Sequence, residues 1–322
     1  LDAHQDARRN KRSSRSCFEF ERHLGWNLGR LEEELAADTY QPRDYFTFWV
    51  YEPKARLIHA PAFRDRVVQH AIYRVIGPIF ERGFIDQSFA CRVGMGTHAA
   101  ADYAQEALQA CPRDSYTLKL DVRRFFYRID RGILRTLVER RIKDRRMVNL
   151  MMAFANMDGD VGVPIGNLLS QLYALIYLNP VDHFIKRELK VKWYGRYVDD
   201  LMLFGLTRER AAECKEQIET FLRTRLHLEY SKWTIAPLAR GVNFVGYRTW
   251  AGKRFVRRRS LYNFRRAVRA GRLESVTSIL GHAKRTHSLQ HMLSHILEKS
   301  HALYCRLPKT YRRSHHAGSA PA

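Results

Sequence analysis

Arg196-Tyr197-Val198-Asp199-Asp200-Leu201-Met202 decides how the rest of the chain is read. Two adjacent carboxylates sit between apolar runs, so Trp193 to Phe204 reads as two short strands joined by a turn at Val198–Asp199. A second segment has the same character: Leu118-Lys119-Leu120-Asp121-Val122-Arg123-Arg124-Phe125-Phe126, where a buried strand starting at Tyr116 runs into Asp121. A buried, unpaired carboxylate is costly, so each of these needs a cation or hydrogen-bond donors. Two such strands side by side bring three carboxylates together, and three carboxylates repel one another unless a divalent ion sits among them.

Taken singly, each segment has a bland alternative. An Asp-Asp at a hairpin is ordinary turn chemistry, and an Asp after a strand is an ordinary cap. Together they suggest two Mg²⁺ ions about 4 Å apart, which activate an attacking hydroxyl and stabilise a leaving phosphate oxygen. The expected metal ligands are Asp121, Asp199 and Asp200, with the Val122 carbonyl as a further one and Mn²⁺ as a possible substitute ion.

The charge of the chain points the same way. Its 322 residues carry 56 Lys and Arg against 33 Asp and Glu, a net charge of +23. Such an excess opposes compaction unless a polyanion offsets it, and nucleic acid is the first candidate. No apolar run approaches the ~20 residues of a membrane span, and no signal peptide is read at the start of the sequence. The five cysteines, Cys17, Cys91, Cys111, Cys214 and Cys305, are scattered without a CxxC, which argues against a disulfide framework or a zinc knuckle and for a reducing cytoplasm.

Working outward, residues 1–16 are polar and basic and read as a flexible arm. Residues 18–37 have helical spacing. Phe46 to Tyr51 and Leu57–Ile58 read as short strands around a turn at Glu52-Pro53-Lys54. Phe63 to Ile76 is helical, with Asp65 suited to its N-terminus and Gly77-Pro78 as its stop. Further helices are expected over 98–110, 131–155, 168–189 (kinked at Pro180) and 208–225. Gly162 to Gly166 reads as a loop and Phe244 to Trp250 as one strand. From about residue 260 the chain is helical and basic, with Ser260 as an N-cap, Gly271 as a stop, and Leu261, Phe264 and Val268 as an apolar seam. His287, His291 and His295 recur at a spacing that a metal could use, although a polar helix side explains them better. Helices and strands mix without a regular βαβ alternation, which favours an α+β fold.

Tyr197-Val198-Asp199-Asp200 resembles the YxDD box of reverse transcriptases, and Asp121 with Phe125–Phe126 resembles their first carboxylate motif. Lys54, Arg56 and the run Pro61 to Gln69 resemble the fingers motifs of bacterial members. Ala90-Cys91-Arg92 with Gly96-Thr97-His98 also fits, and Asn243-Phe244-Val245-Gly246-Tyr247 resembles the primer grip. The resemblance covers roughly residues 45 to 300 in the family's order. It implies a right-hand polymerase fold: an N-terminal extension (1–50), fingers (51–117), a palm (118–250) with a fingers insertion near 131–165, and a basic helical thumb and tail (251–322).

Val163-Pro164-Ile165-Gly166-Asn167-Leu168-Leu169-Ser170-Gln171 has Ile165 where most reverse transcriptases have Gln, and Gln171 where they have Pro. This variant resembles the reverse transcriptases of diversity-generating retroelements, as do residues 51–54, 69–71 and 240–247. That resemblance implies error-prone cDNA synthesis from a template-repeat RNA, with errors at template adenines. It also implies a partner, the small basic oligomeric accessory variability determinant, and a bacterial or phage-infected cytoplasm. Two alternatives share the core: an antiviral defence reverse transcriptase, and a non-catalytic scaffold that binds RNA.

Residue roles follow from the same resemblance. Phe126 aligns with the aromatic gate against a ribose 2′-hydroxyl. Lys54, Arg56 and Arg66, with Ile165, Gly166 and Gln171, are expected at the incoming dNTP, and Lys232 as the acid that protonates the departing pyrophosphate. Tyr197, Val198, Phe244, Gly246, Tyr247, Arg257, Arg258, Arg265 and Arg266 are expected along the primer–template duplex. A solvated basic surface is the plain alternative for each of these cations.

Overall fold

The computed structural model describes residues 1–51 and 54–318. In chain order it begins with α1 (Asp2–Arg8), α2 (Arg15–Glu21), α3 (Leu24–Ala36), β1 (Phe46–Val50), β2 (Arg56–Ala60), α4 (Phe63–Glu81) and α5 (Thr97–Ala110). Next come β3 (Tyr116–Val122), α6 (Phe125–Arg128), α7 (Arg131–Glu139), α8 (Arg145–Ala153) and α9 (Leu168–His183), which continues as a π-turn over Phe184–Glu188. Then follow β4 (Trp193–Tyr197), β5 (Asp200–Leu206), α10 (Arg208–Leu226), β6 (Tyr230–Pro237), β7 (Val242–Phe244), β8 (Tyr247–Thr249) and β9 (Arg254–Val256). The last helices are α11 (Arg258–Arg269), α12 (Leu273–Ala283), α13 (Ser288–Lys299), α14 (His301–Arg306) and α15 (Lys309–Gly318).

The chain divides into two compact units. One comprises Leu1–Cys91, Leu120–Lys190 and Cys214–Lys232; the other comprises Arg92–Lys119, Val191–Glu213 and everything from Trp233 onward. The central sheet has the strand order β4-β5-β3-β6, and smaller sheets are formed by β1-β2 and by β7-β8-β9. The mixture of helix and mostly antiparallel sheet is the expected α+β class.

In the first unit the core is organised on α9, which buries residues on every side, from Leu169 to Asp182. A helix apolar all round belongs in an interior, and each large apolar side chain so buried contributes about 1.5–3 kcal/mol. The Asn167 side chain caps it by accepting the Ser170 N–H at 2.7 Å. The Gln69 side chain accepts the next orphan N–H, that of Leu168, at 2.9 Å. The β1-β2 ribbon is different: all five residues of β1 are exposed, Phe46, Phe48 and Trp49 among them.

Five sequence expectations are corrected. Residues 2–8 form α1, which packs on α4 instead of trailing as an arm: His4 is buried between Phe20 and Phe63. Arg74 also pairs with Asp2 at 2.9 Å and with Asp6 at 2.7 Å. Helix α4 does not stop at Gly77-Pro78 but runs through Pro78 to Glu81. Proline costs it one hydrogen bond and some crowding, which burial of Ile76, Gly77 and Phe80 offsets. Residues 131–155 form two helices, because the Asp144 side chain caps a new one by accepting from Arg146 and Met147 N–H. Ser260 lies inside α11, whose N-cap is Arg257.

Finally, Phe244 to Trp250 is a hairpin and not one strand. Val245 (φ 42°) and Gly246 (φ 90°) both take positive φ between the paired Phe244 and Tyr247. Two positive-φ residues are what a tight hairpin turn with the strands' own twist requires. The turn expected at Glu52-Pro53-Lys54 falls largely on residues 52 and 53, outside the described residues.

Candidate active site

The paired carboxylates lie in the second unit, at the β4–β5 hairpin. Tyr197 pairs with Asp200 in the antiparallel register, so Val198 and Asp199 form the turn. Val198 has φ 54°, a left-handed conformation that a β-branched residue adopts only under strain of about 1–3 kcal/mol. The strain is held by Arg196, fully buried, whose guanidinium donates to the Val198 carbonyl at 3.0 Å. Asp200 is half-buried and pairs with Lys119 of β3 at 3.1 Å. Its negative charge also acts on the half-buried Arg257 guanidinium, whose pKa is lowered by burial and partly restored by Asp200.

Asp121 belongs to the first unit. On β3 the side chains of Leu118, Leu120 and Val122 are buried, while Lys119 and Asp121 alternate to the other face, half-buried. The Asp121 carboxylate accepts a hydrogen bond from the Ser231 hydroxyl of β6. Lys232, next to Ser231, is exposed. Just beyond Asp121, Phe125 is buried in the core and Phe126 is left half-buried.

The same unit joins Phe126 to the Val163–Gly166 loop and to β2. The Val163 N–H donates to the Phe126 carbonyl at 2.9 Å, and the His59 N–H donates to the Ile165 carbonyl at 2.7 Å. Gly166 (φ 119°) lies so close to β2 that a Cβ there would sit 2.8 Å from Ile58 Cγ2. Lys54, Arg56 and Gln171 are exposed. Arg66 is not: it is half-buried in α4, and burial lowers its pKa.

In the second unit, Phe244, Val245 and Tyr247 are buried, Gly246 is half-buried, and Asn243 is exposed. The Tyr247 ring stacks on His282 at 4.1 Å, and its hydroxyl donates to the His282 carbonyl at 2.7 Å. Burial raises the Tyr247 pKa to about 12. On α11, Phe264, Ala267 and Val268 turn inward while Arg258, Arg265 and Arg266 are exposed. His287 is occupied structurally, as its Nδ1 accepts the Arg254 N–H at 3.2 Å.

Among the described residues no group of three His, Cys, Asp or Glu side chains is arranged to hold a metal ion. The donor chemistry nevertheless suits a hard divalent cation, since carboxylate oxygens are its preferred ligands. Asp200 Oδ1 is buried and accepts no hydrogen bond among the described residues, and a cation, the Lys119 ammonium, already stands against it.

The reverse transcriptase (RNA-dependent DNA polymerase) family matches residues 51–249, well over half of the chain. This protein belongs to the reverse transcriptase family. It is similar to Protein YkfC of Escherichia coli K12, 27% identical over 296 residues that cover 76% of this chain and 75% of YkfC. It is also similar to the group II intron-encoded protein LtrA of Lactococcus lactis, 26% identical over 178 residues, 52% of this chain but 29% of LtrA. Among solved structures it resembles telomerase of Candida albicans, at TM-score 0.51 and 12% identity, over 83% of this chain and 55% of that one. Apo telomerase of Candida tropicalis superposes at TM-score 0.51 and 11% identity, over 92% and 72%. At such identities the likeness shows the fold alone, and that fold is the reverse transcriptase right hand.

Three side chains that contact the candidate carboxylates or their turn escape the sequence reading. Lys119 had a signal, because it lies two residues before Asp121 on the same strand face. Ser231 and the buried Arg196 had none, since both partnerships depend on which strands pair and on how the hairpin turns.

Proposed function

We propose that this reverse transcriptase makes error-prone cDNA from a template-repeat RNA in a diversity-generating retroelement. The observation that carries the reading is Ile165, an aliphatic side chain in the loop that joins Phe126 to β2. A polar side chain there offers hydrogen bonds that favour the correct base pair, whereas Ile offers only shape. Loss of one such bond narrows discrimination by about 1–2 kcal/mol, roughly tenfold in error rate.

In this reading Asp121, Asp199, Asp200 and the Val122 carbonyl hold divalent cations, Mg²⁺ or Mn²⁺. Such ions supply activation of a primer 3′-hydroxyl and stabilisation of the leaving pyrophosphate. The chain's own residues do the rest. Lys54, Arg56 and Arg66 receive the triphosphate, Gly166 and Gln171 flank it, and the Phe126 ring excludes a 2′-hydroxyl. Lys232 protonates the departing pyrophosphate. Tyr197 and Val198 sit beneath the primer end, and the Phe244–Tyr247 hairpin supports it through its backbone. Arg257, Arg258, Arg265 and Arg266 grip the duplex by its phosphates, which needs no sequence readout.

Residues 1–50 are then an N-terminal extension, 51–117 the fingers, 118–250 the palm with its insertion, and 251–322 the thumb and tail. The proposed partners are a structured template RNA, its cDNA duplex, dNTPs and the accessory variability determinant, in a bacterial or phage-infected cytoplasm. No helix among the described residues is long and apolar enough to cross a membrane.

The test is to sequence the cDNA made from a defined RNA template, beside an Asp199→Asn control. Product that depends on Asp199, with errors clustered opposite template adenines, supports the retroelement reading. Evenly spread errors would transfer the chain to the defence class, and product independent of Asp199 would overturn the site.

A further inference from the structure

Lys119 makes two contacts that no catalytic role given above requires. Its ammonium stands 3.1 Å from Asp200 Oδ1 and donates to the Asn243 carbonyl at 3.3 Å. It therefore touches the carboxylate hairpin β4–β5 and the strand that leads into the Val245–Gly246 turn. A second cation repeats the pattern: the Arg257 guanidinium feels the charge of Asp200, and the Arg257 N–H donates to the Gly246 carbonyl at 3.2 Å. Lys119 and Arg257 are thus both anchored to the β7–β8 hairpin. Lys119 is half-buried, with its side chain 28% exposed against 26% for Asp200, so bulk solvent screens the pair only partly.

We propose that Lys119 is a positioning residue that couples the two hairpins and serves as a resident counter-cation for Asp200 until a divalent ion arrives. The inference rests on the assignment of Asp200 as a metal ligand and of the β7–β8 turn as a primer support. An ammonium suits both tasks. It carries three donors, so it can hold a carboxylate and a carbonyl at once. It is also a compact, fully charged group that yields to a divalent ion without leaving the Asn243 carbonyl. The planar fork of an arginine fits such a divergent pair of acceptors poorly.

Lys119→Met keeps the length of the side chain and removes its charge; Lys119→Gln is a second neutral variant should the first fail to fold. Two measurements on the full chain decide the matter: the rise in melting temperature produced by Mg²⁺ without nucleic acid, and the split between KM for primer–template and kcat. Both neutral variants should respond to Mg²⁺ more strongly than the wild type, because Asp200 has lost its competing cation. Their KM for primer–template should rise about tenfold, and Lys119→Arg should restore only the Mg²⁺ response. A neutral variant that melts lower yet keeps the wild-type Mg²⁺ response and KM would overturn the proposal. An Asp199→Asn control separates the two ideas. If it still extends primers, the site assignment has failed; if it is inactive while Lys119→Met behaves as wild type, only the role of Lys119 has.

Discussion

The Ile165 carbonyl accepts the His59 N–H at 2.7 Å, which fastens the Val163–Gly166 loop to β2 by a backbone hydrogen bond. Gly166, the last residue of the loop, makes this closeness possible, since a Cβ there would also meet the His59 carbonyl at 3.1 Å. Gly166→Ala should therefore force the loop off β2. The expected cost is about 1–3 kcal/mol, from overpacking together with a positive φ that alanine resists. Urea unfolding measures the stability. A KM for dNTP that rises while the KM for primer–template stays fixed would locate the damage in this loop.

Ile165 itself contributes its side chain, its backbone being already committed to β2. Ile165→Gln should leave folding nearly unchanged and lower misincorporation roughly tenfold, in line with about 1–2 kcal/mol of restored discrimination. Deep sequencing of cDNA from matched templates reads this directly. An unchanged error spectrum would remove Ile165 from the account of fidelity.

Phe125 is 2% exposed and in the core, whereas its neighbour Phe126 is half-buried beside the Val163 loop. Phe126→Ala should admit ribonucleotides, cutting the preference for dNTP over rNTP by tenfold or more at modest cost in stability. Phe125→Ala should do the reverse, losing about 3–5 kcal/mol of stability. The ratio of kcat/KM for dATP and ATP, measured for both variants, distinguishes gate from core.

The His282 side chain is held neutral mainly by burial. The Gly246 carbonyl opposes this, and the electrostatic influence of the neighbouring His98 and Arg257 reinforces it. Tyr247, stacked on the ring, is a further titratable neighbour. A histidine whose folded pKa is depressed contributes stability that is complete above its unfolded value near 6.5 and is lost as pH falls below it. The unfolding free energy of the wild type should therefore drop, relative to His282→Gln, between about pH 7.5 and 5. Parallel curves for the two proteins would show that His282 does not titrate differently on folding.

Much of the central sheet was legible because β3 and β5 alternate or run apolar up to a carboxylate, a pattern with few structural uses. The loop from Gly162 to Gly166 and the start of α9 were legible because glycines bound the loop and a long apolar run follows it. The Val245–Gly246 turn was missed because valine at positive φ carries no local signature; the pairing of Phe244 with Tyr247 imposes it. Pro78 misled because burial of Phe80 outweighs a single lost hydrogen bond. Arg257 was read as a nucleic-acid contact and Lys119 was given no role, because only the folded arrangement brings the two cations to Asp200.

The fully exposed strand β1 has a consequence for the purified protein. Phe46, Phe48, Trp49 and Tyr51 give the ribbon aromatic surface on both faces, far more than a solvated hairpin needs. Such a ribbon is an adhesive edge, and the chain's net charge of +23 opposes contact between molecules. Raising the salt concentration screens that repulsion while the aromatic surface stays exposed. Clumping on a high-salt column would then report an intact, exposed ribbon rather than a misfolded protein.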